Sequence, residues 1–259
     1  MREIFINKLF YSFVTLYYMN KPYTFFKENY KQVIPLNIYQ TWHTKDLPQK
    51  MRERVELLKR QNPRFTHYLY DDNDCREFIK EHFKPDVLEA YDTLIPGAYK
   101  ADLFRLCILF INGGFYMDIK LACINGFRLI ELCENNHFVL DRQSHCNGIH
   151  NAFMVSKAGN TFLYKCIRQI VKNVRNKYYG IDPLSPTGPR LLFNVSVIHK
   201  HPINVDMHHL DPQGGYIIYK NILVISTEYP EYNEERLKAY NSLNTKRYDQ
   251  LWNERKIYK

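Results

Sequence analysis

Asp102 and Arg105 stand three residues apart inside the apolar stretch 98–111, and Asp118 and Lys120 follow closely in FYMDIK, beyond Gly113-Gly114. A spacing of three puts Asp102 and Arg105 on one face of a helix. On a strand over 115–119, alternation turns Phe115, Met117 and Ile119 one way and Tyr116, Asp118 and Lys120 the other. Four charged groups therefore converge where a helix meets a strand, against an apolar background. Charges taken out of water cost several kcal/mol unless they are paired or used. The plain reading is two ion pairs, Asp102 with Arg105 and Asp118 with Lys120. The sharper reading is a ligand site.

Periodicity shows the elements that must hold these groups. IPLNIYQTW (34–42) reads as a strand entered through Pro35. After Pro48, Met51, Val55 and Leu58 recur at helical spacing until Asn62-Pro63 stops the helix. RFTHYLYDD (64–72) alternates as a strand, and two short helices follow at 73–83 and 86–94. A strand–helix–strand opening implies a parallel pair with a right-handed crossover, an α/β architecture that nucleotide-binding proteins share with many others. No repeat or linker divides the chain, so a single domain is expected over 33–259, preceded by an N-terminal helical extension over 1–32. Within that extension IFINKLFYSFVTLYYM is apolar and aromatic, but Lys8 interrupts it. The uninterrupted part, 9–19, is too short to span a bilayer. A packed helix is the first expectation and a peripheral membrane contact the second.

Composition narrows the classes. With 259 residues, 45% hydrophobic and 24% charged, the chain is globular rather than disordered, and 10 Gly with 12 Pro exclude a collagen-like or linker-like architecture. The balance of 36 basic to 27 acidic side chains, net +9, favours anionic partners such as nucleic acid, a membrane face or a phosphorylated small molecule. The basic residues are dispersed with no basic block, so nucleic acid is not expected. The 21 Tyr offer flat rings with polar tips, suited to sugars and bases. Six cysteines without a C-x-x-C pair, one of them Cys107 inside LFRLCILF, read as free buried thiols in a reducing compartment. Two loose histidine groups, His199, His201, His208 and His209 with Asp206 and Asp211, and His145-Cys146 with His150, have spacings a zinc site could use. Neither carries a cysteine pair or an H-x-x-x-H helix, and a solvated loop is the simpler reading. Gly113-Gly114 and Gly214-Gly215 read as turns, not phosphate loops.

A helix with A-D-x-x-R followed by G-G-x-Y-x-D resembles the glycosyltransferase sugar-binding region containing the DXD motif. This is glycosyltransferase family 32, the class of the yeast initiating α-1,6-mannosyltransferase, with relatives among the clostridial glucosylating toxins. IPLNIYQTWHT, NAFMVSKAGNTFL (151–163), SPTGPRLL (185–192) and RYDQLWNERKIY resemble further blocks in the family's order, over roughly 33 to 258. The resemblance implies a GT-A fold, a Rossmann-like α/β domain with a mixed, mostly parallel sheet flanked by helices. It also implies retaining transfer from a UDP- or GDP-linked sugar to a glycan, protein or lipid acceptor. In the family's terms Trp42 lies on or beside the base, and Asp102 and Arg105 hold hydroxyls of the donor sugar. Asp118 contacts ribose and sugar and is the metal-side carboxylate, Asn151 reaches a sugar hydroxyl or else caps a turn, and Trp252 lies near the diphosphate or else packs at the C-terminus. The usual divalent cation, Mn2+ or Mg2+, is held by the motif's last carboxylate, and here that position is Lys120, giving D-I-K. Three versions follow. Lys120 sets its own charge against the diphosphate; a metal is still held by the diphosphate, Asp118 and another residue; or the chain binds donor without turning it over. A cytoplasmic location, as in the short bacterial or large-virus forms, is expected, with the Golgi as the alternative.

Overall fold

The protein was analysed as a computed structural model that describes residues 21–143, 146–200, 206–210 and 215–259. The opening is β1 (Asn37–Thr41), α1 (Gln49–Gln61) and β2 (Thr66–Tyr70), with β1 and β2 parallel from Asn37 opposite Thr66 to Thr41 opposite Tyr70. Met51, Val55 and Leu58 form the buried stripe of α1, as their spacing predicts. Asp71 caps the next helix, α2 (Asp72–His82), by accepting from the Asn73 and Asp74 amides, a contact worth about 1 kcal/mol. Then come α3 (Pro85–Thr93), α4 (Gly97–Asn112) and β3 (Gly114–Met117). The rest of the chain supplies β4 (Ala122–Cys123), β5 (His137–Gln143), β6 (Cys146–Ser156), α5 (Thr161–Arg175) and α6 (Pro189–Ile198). It closes with β7 (Met207–Leu210), β8 (Tyr216–Tyr219), β9 (Ile222–Ser226), α7 (Tyr232–Ser242) and α8 (Tyr248–Asn253).

The strands join in one sheet, ordered β2-β1-β3-β6-β5-β7-β8-β9-β4. The expected mixed α/β architecture is present, with helices against the sheet, and among the described residues three strand pairings are parallel and five antiparallel. Its parallel character lies in the β2-β1-β3 half and in β5 with β7. The other pairings are antiparallel, because β5 turns directly back into β6 and β7-β8-β9 form a meander that needs no crossover helix.

Period-two alternation separates two apolar layers. Tyr39, Tyr116, Phe138, Ile149 and Met154 pack with the buried faces of α2 to α6. Ile38, Phe115, Met117, Val139, Phe153 and Val155 pack on the other side with Leu58 of α1 and the Leu129–Leu132 turn. Helix α4 is buried along nearly all of its length, with Leu103, Phe104, Leu106, Cys107, Ile108 and Leu109 sealed from solvent. Only glycine suits the turn that follows. Gly113 has φ 63°, and a Cβ there would lie 2.7 Å from the Ala158 amide; Gly114 has φ 112°, and its Cβ would lie 2.9 Å from the Asn37 carbonyl.

Two expectations change. Residues 1–20 of the expected helical extension lie outside the described residues, and 21–32 contain no helix. Tyr23 instead anchors that stretch, its amide donating to the Asn125 carbonyl and its ring meeting Phe127 edge-on. The strand expected over 115–119 ends at Met117. The Leu121 amide turns back to the Asp118 carbonyl at 2.9 Å, and Ile119 leaves the face of Phe115 and Met117 to pack with Met51, Val55 and Tyr232. Cys75, Cys107, Cys123, Cys133 and Cys166 are free and buried, as expected. Among the described residues no helix is long and apolar enough to cross a membrane.

Candidate active site

A cavity of about 800 Å³ opens where the C-terminal ends of β1 and β3 face the start of α4 and the later strands. Its size lies within the range of small-molecule sites. Arg105 organises one wall. Its Nε donates to the Ala101 carbonyl at 3.1 Å and its Nη1 to the Asn151 carbonyl at 2.6 Å. Asp102 Oδ1 lies 3.3 Å from Nη2 and Asp118 Oδ1 lies 3.2 Å from Nη1. The guanidinium also lies over the Tyr116 ring, 4.5 Å from its centroid. Burial works against the Arg105 charge, but Tyr116 and the two carboxylates outweigh it, and its pKa is raised.

Asp102 is buried and saturated. Asn151 Nδ2 donates to its Oδ1 at 2.9 Å and the Thr187 hydroxyl to its Oδ2 at 2.7 Å. Burial pushes its carboxyl up, against the pull of Arg105 and Thr187. The S-P-T-G-P segment is shaped for this contact. Thr187 supplies the hydroxyl, Gly188 passes so close that a Cβ would sit 3.4 Å from Asp102 Oδ2, and Pro189 begins α6.

Asp118 is less enclosed. The Tyr116 hydroxyl donates to its Oδ1 at 3.3 Å, the same oxygen that meets Arg105, and the carboxylate is 28% exposed. Its backbone is held from both sides: its amide donates to the Ala152 carbonyl at 2.8 Å, and its carbonyl accepts from Gln40 Nε2 at 3.3 Å. Gln40 Oε1 in turn lies 2.7 Å from His67 Nε2, and burial, with Lys59 nearby, holds the His67 imidazole down at about 4. This chain of contacts fixes the turn on which the motif rides.

Lys120 shares the cavity with Asp118 but does not pair with it. Its Nζ meets Glu228 at 3.6 Å and lies 5.1 Å from the Tyr232 ring centroid. Arg54, from α1, donates to the Lys120 carbonyl at 3.0 Å and reaches Ser226 and the Glu228 carbonyl. It ties the motif turn to the end of β9.

The structure therefore brings Trp42, Asp102, Arg105, Asp118, Lys120 and Asn151 to one cavity. The Trp42 indole N–H is buried without a hydrogen-bond partner. Asn151 acts on Asp102, and its carbonyl on Arg105. Trp252 does not line the cavity: it packs beside the helical core, and its indole N–H donates to the Tyr179 carbonyl at 2.8 Å. Residues that the sequence reading passed over also line the site, among them the acidic Glu228 and the basic Arg236, Lys246 and Arg247, the last two ion-paired with Glu254 and Asp249. Only the excess of basic residues hinted at those three.

The motif residues do not fit a hard divalent cation. Such ions take several oxygen ligands, whereas Asp118 already meets Arg105 and the second motif position carries an ammonium. Among the described residues the one group able to hold a metal is Asp141, His150 and His209, on another part of the cavity wall.

Residues 48–138, the stretch that holds this charged wall, match the family described as "Glycosyltransferase sugar-binding region containing DXD motif". Curated relatives agree. Inositol phosphoceramide mannosyltransferase 3 of Schizosaccharomyces pombe is 29% identical over 184 residues, 70% of this chain and 50% of that one. The initiation-specific alpha-1,6-mannosyltransferase of Candida albicans is 32% identical over 117 residues, 42% of this chain and 30% of that one. The chain thus spans half or less of the length of these relatives. The PaToxG glycosyltransferase has a similar solved structure, with a TM-score of 0.48, 15% identity and 76% of each chain covered. Within the matched stretch, Asp102, Arg105 and Asp118 form the ion-paired part of the cavity wall.

Proposed function

We propose that this chain is a retaining GT-A glycosyltransferase, with 33–259 as one catalytic unit, that moves a hexose from a nucleotide sugar to a glycan or lipid acceptor. Mannose is the first sugar to test, because the curated relatives are named mannosyltransferases. The observation that carries the reading is the Asp102–Arg105–Asp118 network, buried at Asp102 and Arg105 and open at Asp118, on the wall of a cavity large enough for a nucleotide sugar.

In this reading Asp118 meets hydroxyls of ribose and sugar, with Arg105 and Tyr116 holding its carboxylate in place. Asp102 and Asn151 fix the Arg105 side of the donor pocket, and Trp42 supplies a flat face beside the base. As the bond from the anomeric carbon to the leaving diphosphate breaks, negative charge grows on the phosphate. Preorganised positive groups at such a point lower the barrier, and Lys120, with Arg236, Lys246 and Arg247 on the rim, supplies them. The acceptor hydroxyl forms the new glycosidic bond on the same face and gives its proton to the departing phosphate. No protein base is required. A divalent cation at the motif, Mn2+ or Mg2+, is not part of this scheme. A cytoplasmic setting, consistent with the free cysteines, belongs to the same proposal. Lys120 in the motif favours a second reading, donor binding without turnover.

The test is transfer from a panel of UDP- and GDP-hexoses to glycan and lipid acceptors, with the anomeric configuration of the product read by NMR. Wild type gives an α-linked product from an α-linked donor, and Asp118→Ala gives none. Near-normal transfer by Asp118→Ala overturns the site. Donor binding without any transfer supports the second reading.

A further inference from the structure

The part of the cavity wall next to Asn151 is built by three adjacent strands and takes no role in the scheme above. Asp141 lies on β5, His209 directly across from it on parallel β7, and His150 on antiparallel β6, opposite Val139. His209 Nδ1 lies 3.2 Å from Asp141 Oδ1. The His150 and His209 rings stack, 4.0 Å between centroids and 12° between planes. The ligand atoms of the three residues lie within 4.8 Å of one another. Asp141 and His209 are buried, at 3% and 7% exposure, and all three residues line the cavity. His150 Nε2 is sealed from water with no hydrogen-bond partner. Leaving such an atom unmet costs about 1–3 kcal/mol, a cost a bound ion removes.

We infer that Asp141, His150 and His209 form a binding site for a borderline divalent transition ion such as zinc, open to the cavity. Two imidazoles and one carboxylate are the donor set such ions prefer, and three protein ligands leave a position for water or an anionic oxygen. Mg2+, which demands octahedral oxygen ligands, is a poor match. Zinc–nitrogen bonds of about 2.0–2.1 Å require the stacked rings to tilt toward a common point. The ion faces the same cavity as Asp118 without using the D-I-K motif. The site stands independently of the donor reading, since these side chains hold an ion whether or not a nucleotide sugar enters.

The test uses the full chain, stripped with chelator and titrated with Co2+ without donor. One equivalent is expected to produce visible d–d absorption typical of a low-coordinate nitrogen and oxygen site, and Zn2+ is expected to displace it. Zn2+ also raises the thermal midpoint, whereas Mg2+ does not. His150→Ala and His209→Ala each weaken binding on the order of a hundredfold, the scale of losses at metal sites. Asp206→Asn, at the separate His137–Asp206 pair, leaves it unchanged. Should an alanine variant fail to fold, His209→Gln and the wild-type cobalt spectrum carry the test. Absence of stoichiometric binding by the wild type overturns the inference, as does binding within threefold of wild type in the folded His150 and His209 variants.

Discussion

The two parts of the cavity wall solve the burial of polar groups in opposite ways. Around Arg105 almost every group is met: its nitrogens reach Ala101, Asn151, Asp102 and Asp118, and Asp102 is met on both oxygens. Around His150 the arrangement stops short, with two stacked imidazoles, one carboxylate and an unmet ring nitrogen. A satisfied network is rigid and preorganised, which suits a surface that must hold a neutral, hydroxyl-rich sugar in one pose. A cluster left one partner short suits an ion that supplies the missing contact. On the two readings proposed above, one cavity takes two kinds of ligand.

The comparison is most easily broken at Asp102. Asp102→Asn keeps the shape but removes the charge opposite Arg105, and turnover is expected to fall by about two orders of magnitude, as preorganised charged contacts usually cost when lost. A change below threefold in steady-state assays means that the pair is only structural.

Thr187→Val takes one donor from Asp102 and leaves its Oδ2 buried without that partner. The expected cost is about 1–3 kcal/mol in urea unfolding. An unchanged midpoint means that Asp102 finds another partner and that the wall is less preorganised than drawn.

The support behind the motif gives a smaller, pH-dependent effect. Burial holds the His67 imidazole at about 4, below its ordinary 6.5. Between those values the unfolded chain binds a proton that the folded chain refuses. The neutral-His67 contribution to stability is therefore complete above pH 6.5, declines as pH falls toward about 4, and levels off below that. His67→Gln is expected to flatten this part of the curve of denaturation midpoint against pH. An identical slope in wild type and variant removes His67 from the account.

Much of the first wall was legible in the sequence because its charges stand out from an apolar run. Asp102 and Arg105 are conspicuous inside α4, and Gly113-Gly114 marks where the helix must hand over to a strand. The strand–helix–strand opening was equally clear, since α1 and its flanking strands carry clean periods. What could not be read is pairing at a distance. His150 and His209 come from two groups that looked like unrelated histidine clusters, Asp141 stood in neither, and only the β6-β5-β7 order joins the three. Asp206, which shared a spacing with His208, meets His137 instead. Lys120 looked like the partner of Asp118, but the chain leaves the strand at Met117 and carries it to Glu228. Trp252 drew attention as an aromatic in the closing block, yet α8 uses it against Tyr179, where a large ring and one N–H are needed for packing.

The central claim is that the Arg105 wall is a donor site whose charge is supplied by the chain itself. The most direct test is thermal stability against a panel of UDP- and GDP-sugars, each with EDTA and with manganese, for wild type and Asp118→Ala. A donor at a hundred times its Kd adds about 2.7 kcal/mol. The account predicts that one donor stabilises the wild type in both conditions and fails to stabilise Asp118→Ala. Absence of a shift with every donor, or an equal shift in Asp118→Ala, contradicts the donor site, and a shift that needs manganese contradicts the role given to Lys120.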